Sequence, residues 1–290
     1  MKGGVSGKAC LVTGAATGIG RATALAAAAR GARLVLTDIQ AEALERTAAE
    51  ADASGAEVLH SSAFDITDRE AVTAFAAEVG SAHGGLDMVM NVAGKSTWGP
   101  VERLSHEDWR EMVEIDLMGP INVIEAFIPP MIEAGRGGHL VNVSSAAGLF
   151  GLPWHAAYSA AKFGLRGVSE VLRFDLRPQG IGVTLVCPGA VDTPLVDTLR
   201  IVGVDRSQPA AQKMSARFRR RAVSPGEVAR RILDAIEKDR YLVFTSRDIH
   251  ALYLLQRYIP PAYEVAMRRL NRRFLPIARH LTAASERDAR

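Results

Sequence analysis

The chain has 290 residues, of which 48% are hydrophobic and 23% are charged, a composition that excludes a disordered protein. Its formal net charge of +3 is unevenly distributed, because residues 1–210 carry −7 and residues 211–290 carry +10. A uniformly basic nucleic-acid-binding protein is therefore disfavoured. The two cysteines, Cys10 and Cys187, exclude a disulfide framework, and no apolar stretch of signal-peptide length opens the chain, so we expect a cytoplasmic protein.

Short apolar runs alternate along the chain with longer helix-like segments, and this alternation predicts an α/β fold with a parallel sheet covered by helices on both faces. The predicted strands are residues 9–13, 33–37, 57–61, 88–91, 138–144, 182–187 and 241–245. The predicted helices are residues 20–30, 41–53, 69–83, 106–128, 156–176 and 225–238. We interpret residues 1–245 as one domain.

Two regions interrupt the alternation. Residues 194–224 form a predicted insertion after a strand, on the side where open sheets bind ligands. Residues 246–290 form a basic, partly aromatic extension in which arginines alternate with apolar residues. This helical extension has three interpretations: packing on its own domain or on another subunit, which we favour, contact with a membrane surface, or nucleic-acid binding. No nucleic-acid-reading motif accompanies its charges.

A glycine-rich turn follows the first predicted strand and leads into a helix. The turn contains Gly14, Thr17, Gly18, Ile19 and Gly20. Glycines at these positions permit a tight turn and close backbone approach, so a pyrophosphate can lie on amides at the positive end of the helix dipole. An ordinary strand-to-helix turn is the alternative.

An acidic residue ends the second predicted strand. Asp38 lies 24 positions after Gly14, close to the spacing at which a carboxylate meets the adenosine ribose hydroxyls. Its charge would repel a 2′-phosphate, and no Arg or Lys at Thr17, Ile39 or Gln40 would attract one, so NAD is favoured over NADP. The alternative role for Asp38 is a helix N-cap.

Several further motifs resemble the short-chain dehydrogenase/reductase family over roughly residues 5–245. They are TGAATGIG at 13–20, Asp38, Asp65 with Ile66, NVAG at 91–94, Ser145, YSAAK at 158–162 and PGAVDT at 188–193. The resemblance implies a Rossmann-type doubly wound sheet and a dinucleotide cofactor. It also implies cofactor contacts by Asp65 and Ile66 at the adenine, by Asn91, Ala93 and Gly94 in the cleft, and by Pro188, Gly189, Val191 and Thr193 at the nicotinamide.

Tyr158 and Lys162 lie four residues apart in a predicted helix, so both side chains project from one face. A phenol has a reference pKa near 10, and a neighbouring ammonium is expected to lower it towards the working pH of a general acid/base. Lys162 is also expected to donate to the nicotinamide ribose. Ser145 is the predicted substrate-positioning hydroxyl, and the adjacent Ser144 is the alternative by position.

Asp116 is a departure from the family, which usually has Asn at this place in a proton relay through water to the lysine. Our hypothesis is that the Asp116 carboxylate accepts the same hydrogen bond and stabilises the Lys162 ammonium. Its charge would then partly oppose the effect of Lys162 on Tyr158. Asp116 therefore completes the predicted catalytic set.

The remaining side chains indicate the substrate only broadly. Few of the residues predicted around the cleft are charged, which favours an apolar secondary alcohol or ketone; they are Trp98, Leu149, Phe150, Trp154, Leu195 and Leu199. His155 is either a pocket wall or a catalytic imidazole, and we favour the wall. The histidines and cysteines show no metal-ligand spacing, so no metal is expected.

The sequence thus predicts an oxidoreductase that transfers a hydride between NAD(H) and a small apolar alcohol or carbonyl compound. By the resemblance, a homo-oligomer, dimer or tetramer, is expected. The alternative is a dinucleotide-responsive binding or regulatory protein that keeps the fold without turnover. The intact Ser145, Tyr158 and Lys162 count against this alternative, and Asp116 is the feature that supports it.

Overall fold

The computed structural model describes residues 4–194, 199–204, 212, 215–216, 218–220, 222–272 and 274. Much of the predicted insertion at 194–224, including Leu195, lies outside the described residues, as do residues 275–290 of the extension. The strands are β1 (Ala9–Thr13), β2 (Arg33–Asp38), β3 (Val58–Ala63), β4 (Met88–Asn91), β5 (Thr97–Trp98), β6 (Gly138–Val143), β7 (Ile181–Cys187), β8 (Arg200–Ile201) and β9 (Leu242–Phe244).

The helices of the described residues alternate with these strands. They are α1 (Gly18–Ala28), α2 (Ala41–Ala53), α3 (Arg69–His83), α4 (His106–Val113), α5 (Gly119–Ala134), α6 (Ala156–Asp175), α7 (Pro225–Glu237), α8 (Arg247–Tyr258) and α9 (Pro260–Asn271). A π-helical turn, Glu114–Met118, joins α4 to α5, and short 3₁₀ turns occupy Ala146–Gly148 and Arg177–Gln179.

Seven strands form one parallel sheet in the order β3-β2-β1-β4-β6-β7-β9. The chain runs outward from β1 through β2 to β3 and then returns to place β4 on the other side of β1. This reversal creates a crevice outside the carboxyl ends of β1 and β4, which is where open α/β sheets bind ligands. The predicted doubly wound α/β fold is confirmed.

The sheet separates two apolar cores because successive strand residues point to opposite faces. Val12 and Leu36 pack on one face with α1, α2 and α7, whereas Leu11 and Val35 pack on the other with α3 and α5. These strand residues are fully buried. The near-continuous apolar runs of the sequence follow from this two-sided burial.

The helical stretch from His106 to Ala134 differs most from the sequence prediction. The π-helical turn interrupts it, and it continues past Pro129 and Pro130 to Ala134 rather than ending at residue 128. By length and composition this stretch is apolar enough to cross a membrane, with a mean hydropathy of 1.3 over its best window. Its Phe127, Ile128 and Met131 are buried in the sheet core, and this packing holds the last turn helical despite the prolines.

The two helices of the extension, α8 and α9, pack over a third apolar cluster. Its buried members are Ala146, Leu149, Phe150, Leu185 and Cys187, and the partly buried side chains that cover it include Ile249, Leu252, Tyr253 and Tyr263. The sequence prediction that Leu149 and Phe150 line the substrate cleft was wrong, because both are at most 1% exposed beneath the extension.

Candidate active site

The glycine-rich turn after β1 has a shape that only glycine permits. Gly14 and Gly18 have φ of +68° and +54°, in the left-handed region. A Cβ at Gly20 would lie 1.9 Å from the Gly14 carbonyl oxygen. Thr17 is the N-cap of α1 but makes no side-chain capping bond, so the turn presents the first amides of α1 without a side-chain cap. Such a turn fits the pyrophosphate of a dinucleotide.

Asp38 ends β2 beside this turn. Its Oδ2 accepts a hydrogen bond from the Ala16 amide at 2.9 Å, and its Oδ1 accepts one from the Gln40 amide at 3.0 Å. The N-cap of α2 is Gln40, so the alternative in which Asp38 itself caps that helix was wrong. The carboxylate is instead fixed against the glycine turn, at the place where the ribose of a dinucleotide is expected.

The loop after β4 closes against the same turn. The Thr13 hydroxyl accepts from the amides of Val92 at 3.0 Å and Ala93 at 3.1 Å. A Cβ at Gly14 would lie 2.7 Å from the Ala93 Cα, so the two loops approach closely. The Asn91 side chain points into the sheet, where its Nδ2 donates to Asn142 Oδ1 at 3.0 Å.

The segment after β3 lies along the same carboxyl edge. Asp65 Oδ1 accepts from the Thr67 amide at 2.9 Å and shapes a turn. The Ile66 carbonyl accepts from Asn122 Nδ2 at 3.0 Å. Both predicted adenine-side residues are therefore held in position by local hydrogen bonds.

The loop after β7 borders the cleft on the opposite side. Pro188 is buried, and the Gly189 amide donates to Thr245 Oγ1 at 3.1 Å. Val191 forms an isolated bridge with Val223. Thr193 faces the glycine turn, because a Cβ at Gly18 would lie 3.3 Å from the Thr193 Cγ2. The predicted nicotinamide-side loop thus reaches across to the pyrophosphate-side turn.

Ser145, Tyr158 and Lys162 come together where β6 ends and α6 begins. Lys162 is 3% exposed, and its Nζ lies 5.7 Å from the centroid of the Tyr158 ring. A hydrogen bond from Ser145 acts on the Tyr158 phenol and favours its ionised form. The Ser145 hydroxyl also accepts from the Ala147 amide at 3.1 Å.

The neighbouring serine has a structural partner. Ser144 Oγ is buried and donates to the Lys162 carbonyl oxygen at 3.0 Å. This bond ties the end of β6 to α6 and turns the Ser144 hydroxyl away from Tyr158. The geometry therefore favours Ser145 over Ser144 as the substrate-positioning hydroxyl.

Asp116 pairs directly with Lys162. Its Oδ1 lies 3.0 Å from Lys162 Nζ and accepts from the Lys95 amide at 3.2 Å. Asp116 is fully buried, and a Cβ at Gly94 would lie 2.6 Å from Oδ1, so glycine makes room for the pair. Lys162 Nζ also donates to the Val143 carbonyl at 3.2 Å. The π-helical turn carries Asp116, and such turns are frequent at functional sites.

The pKa values of this cluster differ from the sequence expectation. Burial raises the pKa of the Tyr158 phenol above its ordinary value; the Lys162 ammonium lowers it, but the Asp116 carboxylate again raises it. Burial acts to lower the pKa of Lys162, yet Asp116 and Tyr158 outweigh burial and the pKa is raised. Burial raises the pKa of Asp116, with Lys162 opposing. The expected net lowering at Tyr158 was therefore wrong, because desolvation dominates.

Aromatic side chains surround the approach to Tyr158. His155 stacks on Trp98 with ring centroids 4.1 Å apart, and its ring lies 6.3 Å from the Tyr158 ring. Its Nδ1 lies 2.6 Å from the Pro153 carbonyl, and burial lowers the pKa of His155 to about 4. These contacts favour the interpretation of His155 as a pocket wall.

Sequence reasoning missed three contributors near this cluster. Lys95 directly follows the predicted loop at 91–94, and its side chain pairs with Glu111. The Phe274 ring in the extension lies 5.0 Å from the Trp154 ring. Only Lys95 had a sequence signal, its position after a predicted strand end; Glu111 and Phe274 require tertiary structure. Among the described residues, no group of three His, Cys, Asp or Glu residues has metal-site geometry.

Comparison with known proteins decides the family. Residues 8–201 match the short chain dehydrogenase family. The chain belongs to this family. The resemblance inferred from the motifs is therefore confirmed for most of the chain.

Individual relatives agree with this assignment. The chain is 36% identical over 255 residues to "Probable oxidoreductase EphD" of Mycobacterium tuberculosis, covering 87% of the chain but only 43% of that relative. A short-chain dehydrogenase from Burkholderia phymatum in complex with NAD has a TM-score of 0.80 and 32% identity, covering 88% and 94% of the two chains. A metagenomic short-chain oxidoreductase in complex with NADP has a TM-score of 0.65 and 32% identity, covering 82% and 95%.

Proposed function

We propose that the protein is an oxidoreductase that transfers a hydride between NAD(H) and an apolar secondary alcohol or ketone. The observation that carries this proposal is the convergence of Ser145, Tyr158 and Lys162 at the carboxyl edge of the sheet, beside a glycine turn. A bound nicotinamide dinucleotide supplies the hydride acceptor or donor. The chain supplies the proton acceptor or donor and the groups that orient the substrate.

Each polar group has a separate task in this mechanism. In the oxidising direction the ionised Tyr158 takes the alcohol O–H proton while the carbinol carbon loses its hydride and becomes a carbonyl. Ser145 holds the substrate oxygen at the phenol. Lys162 stabilises the phenolate, and with two of its three N–H groups directed to Asp116 and Val143, the third is left to contact the cofactor ribose. In the reducing direction Tyr158 returns the proton.

The Asp38 carboxylate supports NAD as the preferred dinucleotide. It is 8% exposed and fixed by two amides at the edge of the sheet, where its negative charge would oppose a 2′-phosphate. We expect Asp38→Asn to raise the ratio of kcat/KM with NADP to that with NAD by about tenfold or more, the range of a charged hydrogen bond. Initial rates with both dinucleotides measure this ratio, and an unchanged ratio would contradict the assignment.

The aromatic approach supports an apolar substrate. Trp98, His155 and Phe218 form one group, with the Trp98 and Phe218 rings 6.2 Å apart, and Trp154 pairs with Phe274. The buried His155 carries no charge at neutral pH because its pKa is lowered by burial to about 4. Apolar walls with few polar groups favour lipid-like, steroid-like or terpenoid alcohols.

We further propose that the protein is cytoplasmic and forms a homo-oligomer. Exposed Phe163, Val171 and Phe174 on α6 support self-association. Light scattering of the purified full chain measures the oligomeric state, and a monomer at micromolar concentration would contradict this part of the proposal.

The test of the activity is a screen of secondary alcohols and ketones with NAD(H) and NADP(H), followed by the absorbance of the reduced nicotinamide. We expect Tyr158→Phe to lower kcat/KM by at least about a hundredfold, the contribution of a general acid/base. Tyr258→Phe is the matched control, because Tyr258 is 69% exposed on α8 and should not affect the rate.

Two outcomes would overturn the proposed activity. Turnover that survives in Tyr158→Phe would remove the phenol as the acid/base. Dinucleotide binding without turnover of any compound would favour the binding or regulatory protein instead.

A further inference from the structure

The inference concerns how Asp116 changes the charge that Tyr158 experiences, and it rests on the proposed function. Asp116 is fully buried, and its Oδ1 lies 3.0 Å from Lys162 Nζ, whose side chain is 4% exposed. This contact is direct, without the space for an intervening water that a relay would require. The sequence hypothesis of a relay member therefore becomes a hypothesis of a counterion.

The pair is built by three elements. The π-helical turn directs Asp116 inward, α6 supplies Lys162, and the loop after β4 supplies the Lys95 amide at 3.2 Å from Asp116 Oδ1. Within the part of the chain that the structure describes, Asp116 Oδ2 is buried without a hydrogen-bond partner. A carboxylate held this way has few routes by which to leave the lysine.

We propose that Asp116 is a positioning residue that neutralises Lys162, so that Tyr158 faces an ion pair rather than an isolated ammonium and the enzyme oxidises alcohols best under alkaline conditions. A buried pair of opposite charges presents a much smaller field at a third group than one buried cation does. Lys162 remains protonated to higher pH, while the phenol gains less stabilisation of its ionised form.

Other charged or titratable groups face this cluster and were considered. Glu111 on α4 acts on Asp116 and pairs with Lys95 at a partly exposed position. Cys187 on β7 acts on both Tyr158 and Lys162, but burial raises the pKa of its thiol to about 12. His155 faces Tyr158 from the start of α6 and is uncharged at neutral pH. Asp116 is thus the buried anion in direct contact with Lys162.

The decisive substitution is Asp116→Asn, which keeps the shape and an acceptor for Lys162 but removes the charge. Removing a neighbouring anion stabilises the phenolate, so ionisation of Tyr158 should move to lower pH by about one unit. Lys162 loses its counterion while it stays buried, so it should lose its proton at lower pH as well. Both limbs of the pH profile of kcat/KM for alcohol oxidation should therefore move in the same direction, downward.

A second readout does not depend on turnover. Tyrosinate absorbance is titrated in the native chain and in Asp116→Asn, each compared with the same protein carrying Tyr158→Phe, over the pH range in which circular dichroism stays native. The Tyr158 contribution should appear about one pH unit lower in Asp116→Asn. This measurement separates failure of the electrostatic inference from failure of the proposed activity, since it needs no substrate.

Glu111→Gln is the matched control, because it removes a carboxylate near Asp116 that is 32% exposed and therefore screened by solvent. We expect it to move neither limb detectably. If Asp116→Asn does not fold, Asp116→Ser removes the same charge with a smaller side chain and has the same expected result. An ionisation of Tyr158 that stays in place or rises in the folded variant would overturn the inference, as would a uniform loss of rate without a shift of either limb.

Discussion

Gly20 lies where the first turn of α1 passes directly beside the carbonyl oxygen of Gly14. A Cβ there would approach that oxygen to 1.9 Å, a distance that requires the backbone to move. We expect Gly20→Ala to destabilise the fold by about 2 kcal/mol or more, the upper range for overpacking, and to weaken dinucleotide binding. Urea unfolding and the quenching of protein fluorescence by NADH measure the two effects.

Gly80 provides the matched control for this substitution. It lies in α3 at an exposed position, and a Cβ there would meet nothing within 4 Å. Gly80→Ala should therefore leave the stability unchanged or raise it by up to about 1 kcal/mol, because alanine has the higher helix propensity. Equal losses in both variants would contradict the role assigned to the glycine turn.

The individual site residues show what the sequence can and cannot predict. The four-residue spacing of Tyr158 and Lys162 predicts one helix face, and the structure places both side chains in one cluster. The spacing does not contain the burial of the cluster, and burial is the reason that the pKa of Tyr158 is raised rather than lowered. Asp116 was identified by its position, but its direct pairing with Lys162 depends on the inserted residue of the π-helical turn.

At the scale of elements, the sequence predicts long periodic segments well and short ones poorly. β1, β4, α2 and α3 match their predicted bounds, because they have clear apolar patterns between turn residues. The parallel pair of β5 and β8 was missed, since two-residue strands have no periodicity. Their pairing places Trp98 beside His155 and therefore contributes to the substrate approach.

The packing of α9 on the domain leads to a prediction about the extension. The Tyr263 ring lies 6.4 Å from the Phe150 ring, and its hydroxyl donates to the Gly151 carbonyl at 3.2 Å. Because Tyr263 is partly buried, Tyr263→Ala should lower the free energy of unfolding by about 2 kcal/mol, less than a fully buried aromatic would. Thermal unfolding measured by circular dichroism tests this expectation.

Tyr258→Ala is the control for that experiment, because Tyr258 belongs to the same pair of helices but is 69% exposed. Its stability should stay within about 0.5 kcal/mol of the native chain, as surface substitutions usually do. If both tyrosine variants unfold alike, α9 does not stabilise the domain in the way that the contacts indicate. Contact of the exposed side of this extension with a membrane surface stays a prediction, for which salt-dependent pelleting with anionic vesicles is the test.

At the scale of the whole molecule, two buried histidines link the stability of the fold to pH. His139 Nε2 lies 2.8 Å from Thr184 Oγ1 between β6 and β7, and burial lowers the pKa of His139 to about 4. His155 has a pKa lowered by burial to about 4 at the start of α6. Both side chains are therefore neutral in the folded protein under conditions in which the unfolded chain binds protons.

This difference makes the folded state less stable as the pH falls from 6.5, the ordinary histidine pKa, to about 4. Within that window each buried histidine should lower the free energy of unfolding by up to about 1.4 kcal/mol per pH unit, and above it neither contributes. Asp116 acts in the opposite direction, because its raised pKa lets the folded protein bind a proton before the unfolded chain does. The net loss should therefore be smaller than the two histidines alone would produce.

Substitution of one histidine isolates its share of this acid sensitivity. His139→Asn should reduce the dependence of the unfolding free energy on pH between 6.5 and about 4 by up to about 1.4 kcal/mol per unit, even if it lowers stability at pH 7. Urea unfolding at a series of pH values measures the slope directly. His106→Gln is the control, because His106 is exposed at the start of α4 and its loss should leave the slope unchanged. A slope that is equally steep in His139→Asn and the native chain would show that the acid sensitivity arises elsewhere in the molecule.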